Sequence, residues 1–228
     1  MIIERIKMIC GIVVAHNEDL ILEHTLSKLT LPYIAVLDNP TPRVRQLTSE
    51  AIATLEAPPQ EFHVYNWENI LTLIKQAALC AKISGYKWVI RIDADEDWTG
   101  VEDEILKADE QDYNIVNFLV EQYKPLKDIV STFTPEDQTA THDGDAIHLE
   151  PDGNYYQRAW KLDTDIFSLG GGGHVILREV AKVYQSEYKF KHYPAIDNAH
   201  LIKKANRIYN QEEKNKGWHI QYNWILDD

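Results

Sequence analysis

The first 98 residues alternate two hydrophobic patterns, and no other feature restricts the possible folds as strongly. "MICGIVV" (Met8–Val14) is a short, unbroken apolar run rich in β-branched residues, the pattern of a strand buried on both faces. "AHNED" follows, and then Leu22, Leu26 and Leu29 recur at helical spacing. "YIAVLDN" reads as a second strand, stopped by Pro40 and Pro42. A short helix is expected over about Val44 to Leu55, and "EFHVYN" (Glu61–Asn66) as the third strand. Trp67 to Ser84 predicts a longer helix with Trp67, Ile70, Leu71, Ile74, Ala78 and Ala81 on one stripe. Gly85 stands where a helix C-terminal glycine would. "KWVIRI" is the fourth strand. Strand and helix in strict alternation predict right-handed crossovers and a mostly parallel sheet flanked by helices. Such sheets bind ligands beyond the carboxyl ends of their strands. Three polar strand ends therefore stand out: "AHNED", "LDN" and "DADED".

The remainder is less regular. "YNIVNFLVEQY" (Tyr113–Tyr123) and "YYQRAWKL" are strand-like, and the polar, turn-rich stretch from Ser131 to Asn154 separates them. "GGGG" (Gly170–Gly173) precedes "HVIL"; "YKFKHYP" predicts a last strand, and a surface helix is expected after it. No repeat or linker is evident, so 1–228 is expected to be one domain, with a regular half (1–98) and a less regular half (99–228).

A net charge of −13 argues against a broad electrostatic grip on nucleic acid. The charge is uneven: Arg178 to Lys216 holds nine Lys/Arg against five Asp/Glu, a pattern that a solvated helix also produces. With 44% hydrophobic residues the chain can build a sizeable core. No apolar run approaches the roughly 18 residues that span a bilayer. The N-terminus lacks the small-residue cleavage site of a secretory signal. A cytoplasmic location is expected. Cys10 and Cys80 lie in apolar surroundings and are expected as buried thiols.

In "WVIRIDADEDW" four acids occupy five positions: Asp93, Asp95, Glu96 and Asp97. Asp93 and Asp95 are two residues apart, and on an extended chain that spacing puts both carboxylates on one side. Paired carboxylates make a hard oxygen site suited to Mn²⁺ or Mg²⁺, ions that take phosphate oxygens as further ligands. A solvated run of acids after a strand has the same sequence. Asn17 and Asp19 serve equally as helix N-caps and as rim groups facing a nucleotide, and Asp38 and Asn39 equally as turn formers before Pro40.

"GIVVAHNED", "AVLDN" and "WVIRIDADED", in this order and spacing, resemble the nucleotide-binding half of a GT-A fold glycosyltransferase of the family 2 type over about Lys7 to Trp98. The resemblance implies an α/β, Rossmann-like, mostly parallel sheet and a nucleotide-diphosphate sugar donor, with a UDP-sugar first in line; 1–98 would be the nucleotide-binding half and 99–228 the acceptor-side half with the C-terminal helix and tail. Asn17 and Glu18 would hold the nucleotide, Asp38 its base, and Asp93 with Asp95 the metal on the diphosphate. The donor site as a whole would draw on Ala15, His16, Asn17, Glu18, Asp38, Asp93, Ala94 and Arg158. "NYYQRAWKL…GGGGHVI" resembles a later family segment whose His completes the metal site. That His would be His174, although Val175 follows it here where many relatives have Glu.

The implied reaction is sugar transfer to an acceptor hydroxyl with inversion, for which a carboxylate must take the acceptor's proton. No clear base motif is present; Asp143, Asp145, Glu150 and Glu121 are the candidates. Arg158, Lys161 and Lys191 are candidates to steady the leaving diphosphate. The acceptor (saccharide, protein, lipid or modified nucleic acid) is not legible, though Tyr155, Tyr156 and Trp160 could stack on a sugar. The aromatic tail "GWHIQYNWILDD" could close the site or mediate self-association. Two other classes stay open: a nucleotidyltransferase, disfavoured because "AHNED" lacks a glycine-rich basic loop, and a nucleotide-sugar-binding protein of the same fold that has lost catalysis.

Overall fold

The structure is a computed structural model, and it describes residues 8–16, 19–57, 67–123, 146–147, 156–163, 166–169, 175–177 and 182–193. Contacts divide the chain into two units, Met1–Val120 with Gly153–Phe190, and Glu121–Asp152 with Lys191–Asp228.

In the first unit, β1 (Ile9–Ala15), β2 (Tyr33–Leu37), β3 (Thr54–Glu56) and β4 (Trp88–Asp93) make a parallel array in the order β3-β2-β1-β4. Helices α1 (Asp19–Lys28), α2 (Pro42–Leu47) and α3 (Trp67–Ile83) connect them. Beyond β4 the sheet becomes mixed: β8 (Tyr156–Lys161) pairs antiparallel to β4, and β6 (Ile115–Tyr123) antiparallel to β8. The order then runs through β11 (Val183–His192) to β5 (Glu96–Asp97). A separate antiparallel pair joins β9 (Ile166–Leu169) and β10 (Val175–Leu177). In the second unit the end of β6 pairs with β7 (Ala146–Ile147).

β1 is apolar throughout because it is covered on both faces. Ile9, Val13 and Ala15 enter one core with Trp88, Ile90 and Ile92; Cys10, Ile12 and Val14 enter the other with Val89 and the α3 face. Each large aliphatic side chain buried this way contributes about 1.5–3 kcal/mol. The α3 stripe holds for Ile70, Ile74, Ala78 and Ala81; Leu73 and Ala77 share it, while Leu71 is only half-buried. Gly85 ends α3 at φ 89°, with Gly85 N–H on the Lys82 carbonyl and Tyr86 N–H on that of Ala81. This is the paired bonding that closes a helix through a left-handed glycine. Both cysteines are free thiols. No helix among the described residues is long and apolar enough to cross a membrane.

Two sequence expectations are corrected. The helix starting near Val44 stops at Leu47, where the Thr48 hydroxyl and N–H both bond back to the Val44 carbonyl. The chain then returns along β2: Ile52 N–H bonds Tyr33 O, Ala35 N–H bonds Ala53 O, and Ala57 N–H bonds Leu37 O. The third strand is therefore Thr54–Glu56, overlapping the end of the span expected to be helical; 61–66 lies outside the described residues. A fourth helix, α4 (Glu102–Glu110), was not anticipated.

Candidate functional site

The ends of β1, β2 and β4 meet side by side. Val14 pairs with Asp93 and Ala15 with Leu37. One step further, Asp38 N–H bonds the Ala15 carbonyl at 2.9 Å and Ala94 N–H the Val14 carbonyl at 3.0 Å. His16 Nδ1 lies 3.2 Å from Asp38 Oδ2, and Asp38 is buried. Ala15, His16, Asp38, Asp93, Ala94 and Asp95 thus share one rim, as the strand-end argument expects. Asn17 and Glu18 lie outside the described residues.

The acidic stretch is a folded turn, not an exposed run. β4 ends at Asp93, Ala94 and Asp95 turn, and β5 begins at Glu96. The extended-chain argument for Asp93 and Asp95 therefore does not apply, because alternation stops where the strand stops. Asp95, Glu96 and Asp97 are buried, so Glu96 and Asp97 do not face water; the Asp93 side chain is 26% exposed. Glu96 Oε2 accepts from Asp93 N–H and from Trp98 Nε1–H, each at 2.9 Å. Asp97 Oδ1 accepts from the N–H and hydroxyl of Thr99 at 2.9 and 2.6 Å. Thr25 of α1 donates its hydroxyl to the Ala94 carbonyl at 2.6 Å. Trp98 itself stacks on Phe190 at 4.2 Å between ring centroids, which anchors the far side of the turn.

Two buried arginines answer the acids. Arg91 Nη2 donates to both Asp93 oxygens at 2.8 and 3.0 Å, and its Nε to Oδ1 at 3.0 Å. Arg158 Nη2 lies 3.0 Å from Asp93 Oδ2 and 2.5 Å from Glu96 Oε1. Burial works to raise the Asp93 pKa, but the charges of Arg158 and Arg91 outweigh it and hold the carboxyl below its ordinary value. Burial pushes Glu96 up to about 7, against the pull of Arg158 and with a further push from Asp93. In its contacts with Asp93 N–H, the Trp98 indole and Arg158, Glu96 is the acceptor. Arg158 is raised, its desolvation overcome by Asp93 and Glu96. Four acids against Arg91 and Arg158 leave at most two formal negative charges, fewer when Glu96 carries a proton.

Arg158, expected to touch the donor, is therefore turned onto carboxylates, and Arg91 was missed by the sequence reading. A lone arginine inside a buried strand, two residues before an aspartate, was its signal. Lys161 sits 3.4 Å from Asp109 Oδ1 and pairs with Trp88, at the opposite end of β4 from Asp93, so it is not at this rim. Trp160 is buried in the core and cannot stack on a sugar; Tyr156 is half-buried beside Arg158. Glu121 and Lys191 fall in the second unit. Tyr155, Asp143, Asp145, Glu150, His174 and the C-terminal tail lie outside the described residues.

Asp93 presents partly exposed carboxylate oxygens, the hard donor type that divalent cations take. It does not by itself complete a ligand shell: among the described residues no group of three or more His, Cys, Asp or Glu is arranged to hold a metal.

The strand order and the polar rim define an α/β fold of the GT-A, Rossmann-like class. No family model and no curated protein matches the chain. Among solved structures it is similar to Staphylococcus aureus TarS, at 13% identity and TM-score 0.48 over 89% of this chain and 40% of that one. It is also similar to TarS 1–349 in complex with UDP-GlcNAc, at 15% identity and TM-score 0.38 over 50% and 35%. A third is a Desulfovibrio desulfuricans G20 protein assigned as a nucleotide-diphospho-sugar transferase, at 11% identity and TM-score 0.42 over 96% of each chain. The chain thus spans well under half of the first TarS structure. At these identities and scores the reading of the site rests on its own geometry.

Proposed function

We propose that the chain is a metal-dependent glycosyltransferase that moves a sugar from a nucleotide-diphosphate sugar, a UDP-sugar first among them, to an acceptor with inversion. The observation that carries this reading is the convergence of His16, Asp38 and Asp93–Asp95 at one rim of a parallel sheet, where a ligand is expected. Asp38, buried and held by His16, would accept hydrogen bonds from a base. Asp95 and Asp93 would hold Mn²⁺ or Mg²⁺, with diphosphate oxygens and His174 completing the shell. Such a cation neutralises charge developing on the leaving diphosphate. The chain's own task is to hold two carboxylates beside an incoming anion, and Arg91 and Arg158, bonded to Asp93, offset its negative charge.

Incubation with a panel of nucleotide sugars and Mn²⁺, followed by assay for nucleotide diphosphate, tests the proposal. Release with at least one donor is expected, and so is loss of metal-dependent nucleotide binding in Asp95→Ala with the fold intact. No release from any donor, together with metal-independent or absent nucleotide binding, overturns it. A second reading, a nucleotide-sugar-binding protein without turnover, draws on Val175 standing where many relatives have Glu and on guanidinium groups already engaging both Asp93 oxygens. Metal-dependent binding without release would favour it.

A further inference from the structure

Arg158 projects from β8 into a turn formed by a different segment of chain. It is buried, it lies over the Phe190 ring at 5.6 Å and the Tyr156 ring at 5.7 Å, and one nitrogen, Nη2, serves both Asp93 Oδ2 and Glu96 Oε1. Glu96 in turn bonds the backbone of Asp93 through its other oxygen and the indole of Trp98 through the same one. These contacts form a closed circuit: Arg158 to Asp93 side chain, Asp93 backbone to Glu96, Glu96 back to Arg158. Residues 94 and 95 sit inside that circuit. Moving Arg158 would take this donor from Glu96 Oε1, while Asp93 Oδ2 would keep its bond from Arg91. Arg91 bonds Asp93 from within the same strand, whereas Arg158 reaches both carboxylates from β8.

We infer that Arg158 is a positioning residue which sets the shape of the Asp93–Glu96 turn, and with it the direction in which Asp95 meets a cation. It acts through carboxylates rather than by touching the donor. The inference rests on the donor-site reading only for the role of Asp95; the clasp itself stands on the hydrogen bonds. Arg158 is separable from a merely stabilising residue because Trp98 reports the turn. The Trp98 indole N–H resonance, assigned by its disappearance in Trp98→Phe, depends on where Glu96 Oε2 sits.

The test compares wild type, Arg158→Met and Arg158→Lys by indole ¹H–¹⁵N spectra and by titration with Mn²⁺ and uridine diphosphate. Arg158→Met is expected to move the Trp98 indole signal and weaken Mn²⁺-dependent binding at least tenfold. Arg158→Lys, which keeps the charge but loses the fork, is expected to fall between the two. A folded Arg158→Met with wild-type Trp98 signal and wild-type binding overturns the proposal, whatever its melting temperature. If wild type binds no Mn²⁺ and uridine diphosphate but Trp98 still moves in Arg158→Met, the donor-site reading fails and the clasp stands. If Arg158→Met does not fold, Glu96→Gln, which cuts the same circuit at its other carboxylate, is measured instead. An unmoved Trp98 signal in folded Glu96→Gln overturns the inference, and a moved one supports it.

Discussion

The hydroxyl of Thr25 donates to the carbonyl of Ala94 at 2.6 Å, fastening the middle of α1 to the centre of the acidic turn. Both residues are buried, and the bond spans 69 positions of sequence. Thr25→Val keeps the shape and removes the donor, leaving a buried carbonyl without it. A loss of about 1–2 kcal/mol in urea unfolding is expected. The same variant should loosen the turn, so its metal-dependent nucleotide affinity should fall as well. A Thr25→Ser control, which keeps the hydroxyl, should retain most of that affinity.

Asp93 lies between Arg91 and Arg158, whose side chains are 3% and 8% exposed. Removing its charge leaves two buried cations with less compensation, and breaking a buried pair from one side commonly costs about 3–5 kcal/mol. Asp93→Asn is therefore expected to lose on the order of 3 kcal/mol of unfolding free energy. Glu23→Gln, which breaks an exposed pair with Arg43, should change stability by less than about 1 kcal/mol. Equal losses in the two variants would contradict a structural role for the arginine pair.

A pH dependence follows from Asp109 on α4. Burial works to raise its pKa, but hydrogen bonds from Lys87 and Trp88 and the charges of Lys87 and Lys161 hold it below its ordinary 3.8. A carboxyl depressed by folding stabilises the protein above the unfolded value, and that contribution disappears as pH falls through the lower folded value. Asp109→Asn should thus be less stable than wild type at pH 7, by about 1 kcal/mol because the Lys87 partner is half exposed and screened. The gap should narrow steadily below pH 4. Urea unfolding of both proteins between pH 7 and pH 3 measures it.

What the sequence disclosed and what it withheld divide along physical lines. β1, β2, β4 and α3 announced themselves because each buries a long, regular set of apolar positions. β3 did not, because a three-residue edge strand with exposed Thr54 and Glu56 carries almost no pattern. α4 was hidden by composition: six of its nine residues are acidic or basic, and only Ile105 and Ala108 are buried. The rim was legible from the rule that ligands sit beyond parallel strand ends. The pairing of Arg158 with Asp93 was not, because that partner comes from β8, 65 positions later in the chain. Charge compensation across that separation has no local signature. A count of acids in one stretch overstates its net charge whenever the cations arrive from elsewhere in the fold.

The turn after α3 isolates a backbone effect from a packing effect. Gly85 sits at φ 89° with nothing within 4 Å of where a Cβ would stand. Gly85→Ala should therefore cost about 1–2 kcal/mol through the left-handed conformation alone. Gly85→Asn, whose side chain tolerates that region better, should recover part of the loss. Gly11 presents the opposite case: its backbone is ordinary, but a Cβ would stand 3.2 Å from Tyr33 Cβ and 3.7 Å from the Pro32 carbonyl oxygen. Gly11→Ala would push β1 away from β2 at the strand pair that carries Ala15 and Asp38 to the rim. Its destabilisation should be accompanied by weaker nucleotide binding, whereas Gly85→Ala should leave binding unchanged in the folded protein. Thermal unfolding and nucleotide titration of the three variants would check the contrast. Equal binding losses in Gly11→Ala and Gly85→Ala would contradict it.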